Sequence, residues 1–449
     1  MPRKSLNRVS CATIIAAIGS SAAGLVAEPG ELLWTFELSN ISGAFVTVAP
    51  DGTIYTTDRD RLWALTPAGT VKWVFDEAGG DGGLTIGGGG QPVDLLPDGR
   101  IVVGGGFSIW ALDADGVIDW TFSWEGGFYN QIDNGPSVGP DGHIYATAAV
   151  NDGFGLGAFS LTTDGDLRWQ DSPQPPLTIL NASHNQRVRF TDTRMIFGFL
   201  ATSGPVSVYG YDLDGAQTNY VDYTCVSSPK TDGVARLLLS GQCGVQAIDP
   251  ESDTILWSVG LGPVNMLPIA DGDGIVYSGS WHGPVSAIDA SGQVLWTSSN
   301  VSLQRTLAVS DEHGVMLYGG ESFGQPNWAG AIDIATGEAL WELPFDTVDG
   351  HNELIWSNEA AFSPDGTVAY FTTRFTSNGA PGRLYAVRIA DAPGCTTDLD
   401  GSGVVGAPDL ASLLANWGEC LACAADLDAD GSVGPSDLAM LLAAWGRCP

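Results

Sequence analysis

Seven times along the chain an apolar strand end runs into an Asp- or Gly-bearing turn and closes on an aromatic residue. The clearest copy is Ala111-Leu-Asp-Ala-Asp-Gly-Val-Ile-Asp-Trp120. Others read Ala64-Leu-Thr-Pro-Ala-Gly…Trp73, Ser160-Leu-Thr-Thr-Asp-Gly…Trp169, Ala247-Ile-Asp…Trp257, Ala287-Ile-Asp-Ala-Ser-Gly…Trp296 and Ala331-Ile-Asp-Ile-Ala-Thr-Gly…Trp341. In Gly210-Tyr-Asp-Leu-Asp-Gly…Tyr220 a tyrosine stands where the others carry tryptophan. Each copy is a β-hairpin written in sequence, because Asp and Gly supply the turn and the flanks are apolar or β-branched. A chain built on such a unit is restricted to repeating all-β architectures.

With the aromatic as a ruler, Trp34, Trp73, Trp120, Trp169, Tyr220, Trp257, Trp296 and Trp341 follow one another at intervals of 37 to 51 residues. That period, with all-β signals throughout, marks a β-propeller in which each repeat is one four-stranded blade. In the first repeat the strands read 45–49, 53–57, 62–66 and 71–75, and a Pro-Asp-Gly turn after the first recurs at 97–99, 140–142 and 364–366. The last repeat, around 362–389, lacks a Trp-bearing fourth strand, and Trp34 near the N-terminus has no blade before it. A strand from one end of the chain that completes the last blade removes the open sheet edges. Eight blades are therefore expected, with seven as the alternative. The 60 glycines suit the many tight turns, and 44% apolar residues are enough to build the core.

Residues 1–27 carry Arg3, Lys4 and Arg8, then small and apolar residues from Cys11 to Ala27, which is the layout of a secretory signal peptide of bacterial type. A secreted or cell-surface location follows, with no membrane span in the mature chain. Its removal makes a net charge of −34 more negative still and leaves six cysteines: Cys225, Cys243, Cys395, Cys420, Cys423 and Cys448. Such a polyanion argues against nucleic acid as a partner, because phosphate binding needs clustered Lys and Arg.

The Ala-x-Asp-x-x-x-Gly-x-x-x-Trp unit resembles the repeat of pyrroloquinoline quinone (PQQ)-like propellers and spans about residues 30–391. That family includes quinoprotein alcohol dehydrogenases and non-catalytic eight-bladed propellers of bacterial envelope assembly. The repeated residues are structural, and the resemblance implies that the tryptophans pack between blades. The adjacent cysteine pair that the dehydrogenases commonly carry is missing, as is an assignable acid–amide set for calcium and quinone, so PQQ is not expected.

A linker at 392–394 precedes a tandem duplication over 395–449 in which corresponding residues are 28 apart. Copy one offers oxygens from Asp398, Asp400, Ser402, the carbonyl of Val404, and Asp409; copy two offers Asp426, Asp428, Asp430, the carbonyl of Ser432, and Asp437. These are positions 1, 3, 5, 7 and 12 of a Ca²⁺ loop, with Gly at position 6 for the sharp turn. Two Ca²⁺ sites are expected, copy one the weaker because it has one carboxylate fewer. After each loop a short helix is expected to carry Leu410, Leu413, Leu414 and Trp417, or Leu438, Leu441, Leu442 and Trp445, on one face. A loop plus one helix, used twice with Asp at position 12, resembles a type I dockerin. That resemblance implies a cohesin-like or cell-surface scaffold protein as partner, read by Ala407-Pro408 and Pro435-Ser436. The four cysteines could pair as 395–420 with 423–448, 395–448 with 420–423, or 395–423 with 420–448.

In a four-stranded meander, with the strands of each blade lettered A to D in chain order, the A–B and C–D turns lie on one face of the propeller, the B–C and D–A loops on the other. Here the long, irregular loops are all of the second kind, and variable loops on a rigid scaffold are where binding usually resides. Trp124, Trp281 with His282, Trp328, His351 and Trp356 map to that face and are the candidate ligand residues, with acids such as Glu125, Glu321 and Glu353 beside them. The chain reads as a secreted, non-catalytic propeller that binds a protein or glycan and is moored by a calcium-dependent dockerin. The alternatives are a PQQ-dependent dehydrogenase and a carbohydrate-active enzyme of a polysaccharide-degrading system.

Overall fold

The computed structural model describes residues 29–39, 42–58, 61–76, 85–86, 89–90, 92–106, 108–123, 132–150, 155–171, 187–200, 206–223, 230–231, 236–241, 244–261, 266–298, 301–321, 326–348, 351–357, 359–376, 381–390, 397, 399, 404–420, 423–428 and 430–447. The leader at 1–27, Cys225, Cys243, Cys395 and Cys448 lie outside these. The chain divides into two compact units, one running from Gly30 to Ile389 and the other over Ala390–Pro449. Among the described residues no helix is long and apolar enough to cross a membrane.

The first unit is an eight-bladed propeller. Seven antiparallel sheets of four strands follow one another along the chain, each a simple meander. The first comprises Ser42–Val48, Ile54–Asp58, Leu62–Leu65 and Val71–Phe75. The eighth draws on both ends of the unit: His351–Ile355 and Ala361–Phe362 both pair with Val368–Phe375, then comes Arg383–Arg388, and Leu32–Glu37 is the outermost strand. Trp34 thus enters the sheet opposite Ala386, as the hairpin ruler requires.

Middle strands are buried along their whole length, as in Ile54–Asp58 and Leu62–Leu65, because each sheet is covered on both faces by its neighbours. The cores therefore lie between blades. Tyr55, Leu62, Ala64 and Phe75 of the first pack on Val93, Ile101, Val103 and Leu112 of the second. Phe36, Leu38 and Leu384 of the eighth pack on Val46, Ile54 and Leu65 of the first.

The recurring tryptophan locks one blade to the next. Trp34, Trp73, Trp120, Trp169, Trp257 and Trp296 each donate the indole N–H to a backbone carbonyl in the following blade's C–D turn, at 2.8–3.1 Å. Each ring lies on the turn's glycine. At Gly116 (φ +80°) an added Cβ would sit 2.6 Å from Cδ2 of Trp73. Two constraints therefore demand glycine there: the left-handed backbone and the indole against its Cα. Gly116→Ala is expected to lower unfolding free energy by about 2–4 kcal/mol, from the left-handed penalty and overpacking together. Gly99, also left-handed (φ +89°) but with open space at its Cβ position, is the comparison, and Gly99→Ala should cost about half as much or less by urea titration.

The ring-on-glycine half of this lock also spans the seam, where no covalent turn exists, while the Trp341 indole N–H has no partner among the described residues. Gly30 takes φ +89° beneath Trp341, its N–H bonds Arg388 O at 2.7 Å, and Arg388 N–H bonds Glu31 O at 3.0 Å.

The second unit contains two nine-residue helices, α1 (Ala407–Ala415) and α2 (Pro435–Ala443). Short strand pairs join its halves, Val404–Val405 with Gly446–Arg447 and Gly418–Glu419 with Ser432–Val433. Val405, Leu413, Ala425, Val433 and Leu441 form its core.

Candidate functional site

On the propeller the loop-bearing face is built by the B–C and D–A connections. Much of Asp76–Gly90, Ser123–Asn134 and Asp171–Gln186 falls outside the described residues, and Trp124 and Glu125 with them. The other candidates prove to be of different kinds.

Trp281 and His282 sit at the tip of the tight connection between Val276–Gly279 and Val285–Ile288. His282 adopts φ +57°, a left-handed conformation rare for a residue with a side chain. Its N–H bonds Leu303 O at 2.7 Å, and Leu303 N–H returns to Gly283 O at 3.0 Å, so the next blade's inner strand fixes the loop. The Trp281 and His282 ring centroids are 4.4 Å apart. Trp281 donates its indole N–H to Glu321 Oε2 at 3.2 Å, and His282 Nε2 lies 3.6 Å from the same oxygen. Glu321 is anchored in turn: its N–H bonds Ser302 O, and its carbonyl accepts the Ser302 hydroxyl at 2.6 Å. Trp281 is 52% exposed.

Trp328 is instead a packing residue. It begins the strand Trp328–Asp333, pairs with Gly320, and covers that glycine so closely that a Cβ there would meet its ring at 2.0 Å. Trp356 is capped by Arg374, whose guanidinium lies 3.4 Å from the ring centroid, while Arg305 donates to the carbonyls of Trp356 and Ser357 at 3.3 Å. Desolvation pushes the Arg305 guanidinium down to about 10, and Arg374 alongside acts in the same direction. His351 is exposed at the start of its strand and joins neither group.

Glu353 is fully buried rather than free for a ligand. It accepts bonds from Thr373, from Arg383 Nη1 at 3.1 Å and from Tyr385 at 3.0 Å. Burial raises its carboxyl above the ordinary range, and those donors offset only part of the effect. A second network crosses between blades on their inner strands. Arg187 reaches Asp94 at 3.3 Å and Thr47 at 3.0 Å, and Glu359 receives both Arg187 and Arg189. Sequence reasoning misses the second network, since Arg187 and Thr47 are 140 residues apart, and it places Glu353 beside a ligand where the structure buries it.

In the second unit, copy two is described nearly whole. Ligand oxygens of Asp426, Asp428 and Asp430 lie within 4.8 Å of one another. Backbone N–H groups fold the loop over them: Asp430 N–H bonds Asp426 Oδ1 at 3.1 Å and Gly431 N–H bonds Asp426 Oδ2 at 2.9 Å. Gly431, at position 6, takes φ +91°. Ser432, at position 7, starts the strand Ser432–Val433. Asp437, in the first turn of α2, is buried; its Oδ2 accepts from Gly434 N–H at 2.7 Å and its Oδ1 from Leu427 N–H at 2.7 Å. These backbone donors, that of Gly434 foremost, hold its carboxyl below the usual range. Three hard carboxylates converging on a loop with a left-handed glycine fit a Ca²⁺ ion. In copy one, Asp398, Asp400 and Ser402 lie outside the described residues; Val404 is in a short strand, and Asp409 receives Gly406 N–H at 2.7 Å, as its counterpart does from Gly434.

Each helix buries less of its apolar face than the spacing suggests. Leu413 and Leu441 are fully buried, but Leu414, Trp417, Leu442 and Trp445 are each about half exposed. A nine-residue helix with one short partner helix has room to cover a narrow stripe, and the Leu-Trp edge is left outside. Cys420 and Cys423 form a disulfide, which is the 420–423 half of one of the three pairings.

Known proteins share the propeller. No curated protein shows significant similarity to the chain. Among solved structures, BamB from Moraxella catarrhalis matches 80% of this chain and 99% of its own at 14% identity and a TM-score of 0.50. The C-terminal WD40 domain of Sif2 matches 80% and 99% at 11% identity and a TM-score of 0.55, and the Dos1 propeller 80% and 94% at the same values. At such identities these likenesses speak for fold alone. The family profile described as outer membrane protein assembly factor BamB matches residues 19–176 and 242–392, which hold every copy of the Trp-on-Gly contact except that of Trp169 on Gly215. By that match, the chain belongs to the PQQ-repeat propeller family of the outer membrane assembly factor BamB.

Proposed function

We propose that the chain is an exported, non-catalytic binding propeller, held at a scaffold or cell surface by a calcium-dependent, dockerin-like tail. The observation that carries this reading is the duplicated tail. Two units 28 residues apart each place an Asp at the start of a short helix and leave a Leu-Trp pair half exposed, and in the described loop three carboxylates converge. Half-exposed Leu414, Trp417, Leu442 and Trp445 are a costly surface for a small unit to show water and suit a protein partner with an apolar face. Ca²⁺ would be held by Asp426, Asp428 and Asp430 with the Ser432 carbonyl and Asp437 in copy two, and by Asp398, Asp400, Ser402, Val404 and Asp409 in copy one. Bound there, it neutralises clustered carboxylates and fixes the loop ahead of each helix. A cohesin-like or scaffold protein is the partner expected.

The propeller is the cargo of that attachment. Its family's description as an assembly factor supports a role in bringing molecules together, and the loop-bearing face is where a protein or glycan ligand would sit. The test is a pull-down of secreted and surface proteins with the full chain, in Ca²⁺ and in chelator, beside a chain ending at residue 394. Recovery of a scaffold protein that needs both Ca²⁺ and the tail is expected. Equal recovery without residues 395–449 would remove the mooring.

A further inference from the structure

We infer that Trp281, His282 and Glu321 form a binding subsite for a neutral sugar ring. The inference rests on the reading of the loop-bearing face as the ligand face and gives it a location and a ligand class.

Among the described tryptophans of the propeller, Trp281 alone exposes about half of its surface, whereas Trp328 covers Gly320 and Trp356 lies beneath Arg374. Nor is Trp281 a loose loop side chain. Its N–H is tied to Glu321, His282 stands beside its ring, and the His282 backbone is held left-handed by the next blade. Strained backbone persists where surrounding structure imposes it, and it gathers at ligand-binding positions. Here the exposed indole is held by its bond to Glu321 and by the His282 ring beside it, so less conformational freedom is left to lose on binding.

The chemistry offered is a flat apolar surface with a hydrogen-bond acceptor at its rim. Glu321 Oε2 takes the indole N–H and faces His282, while Oε1 has no hydrogen-bond donor among the described residues. A pyranose has the matching form: one face of C–H groups to lie on the indole, and hydroxyls at its edge to donate to Glu321 and meet the His282 ring. An anionic ligand would face the Glu321 carboxylate and a chain of net charge −34. A cationic group would be drawn by the same charges but would find a single ring face, where cation–π attraction at an exposed site is weak, so a cationic peptide is the competing class in the test.

The test uses the full chain in Ca²⁺ and titration calorimetry against neutral oligosaccharides of glucan, xylan, mannan and galactan, with an oligolysine peptide as the competing class. Binding of at least one neutral saccharide is expected. Trp281→Ala should weaken it by about tenfold or more, and Glu321→Gln by about three- to tenfold. Val117→Ala, at an exposed C–D turn on the opposite face, should leave it unchanged, and all three variants should melt with the wild type. Silence across the saccharides, binding that survives Trp281→Ala, or oligolysine binding in place of sugar would each overturn the proposal. Recovery of the scaffold partner is measured on the same Trp281→Ala protein. That recovery stays intact if only the sugar subsite is wrong, and fails in wild type and variant alike if the mooring is wrong.

Discussion

A chain lacking residues 29–38 is expected to lose the cooperative unfolding transition of the propeller and to aggregate. The strand Leu32–Glu37 is the outer strand of the eighth blade, paired from Leu32↔Val387 to Glu37↔Arg383. It places Phe36 and, just beyond its end, Leu38 in the core shared with the first blade, each almost wholly buried. Truncating one such large side chain costs about 3–5 kcal/mol, while a whole domain has about 5–15 kcal/mol in reserve. Removing the strand deletes both side chains, the backbone ladder, the Trp34 bond to Pro67 and the glycine beneath Trp341. It also bares Arg383–Arg388 as a sheet edge, open to pairing with another chain. Denaturant unfolding by circular dichroism and size exclusion would check this, with a synthetic peptide of residues 29–39 supplied in trans to restore the transition. Phe36→Ala alone should lower stability by about 3–5 kcal/mol, and exposed Glu37→Ala by less than about 0.5 kcal/mol. A truncated chain that melts like the full one would mean that the ring does not depend on this seam.

Chelation is expected to unfold the tail and leave the propeller intact. Among the described residues the buried core of the tail is five side chains, Val405, Leu413, Ala425, Val433 and Leu441, two of them valines and one an alanine. Helices of nine residues are too short to persist alone in water. The crowded carboxylates of Asp426, Asp428 and Asp430 repel one another unless a cation intervenes. Metal binding would then supply folding free energy. At a free concentration one hundred times the dissociation constant, the gain is about 2.7 kcal/mol for each site. Hydrogen exchange on the full chain should show amides of α1 and α2 losing protection in EDTA while those of Ile54–Asp58 keep theirs. Asp428→Ala should remove one of two calorimetric Ca²⁺ equivalents and leave the weaker. Protection of α1 and α2 that ignores EDTA would take calcium out of the tail's folding.

Much of the fold is legible in the sequence because its rules are short-range. The Asp–Gly turn and its tryptophan lie within about ten residues of one another, so period, blade count and the missing eighth strand can all be read from spacing. The function of the glycine cannot. That Trp73 lies on Gly116, and Trp341 on Gly30 across the seam, depends on two blades meeting. The candidate ligand face shows the same division. Trp281 and Trp356 look alike in sequence, each an aromatic in a loop of the same face with a histidine nearby. Arg374 covers one, and Glu321 holds the other at its edge with the ring exposed. Glu321 and Glu353 are equally alike as letters, but only Glu353 is enclosed by Thr373, Arg383 and Tyr385.

The sequence alone determined that this chain repeats, that the repeat is a blade, and that a duplicated Asp-rich unit follows, because each of these is a pattern of neighbours along the backbone. Only the tertiary structure decided which aromatics stand in solvent, which acids are buried and which half of each tail helix is left uncovered. Solvent exposure and charge pairing depend on groups that approach through space from tens to more than a hundred residues away, and local spacing carries no record of them.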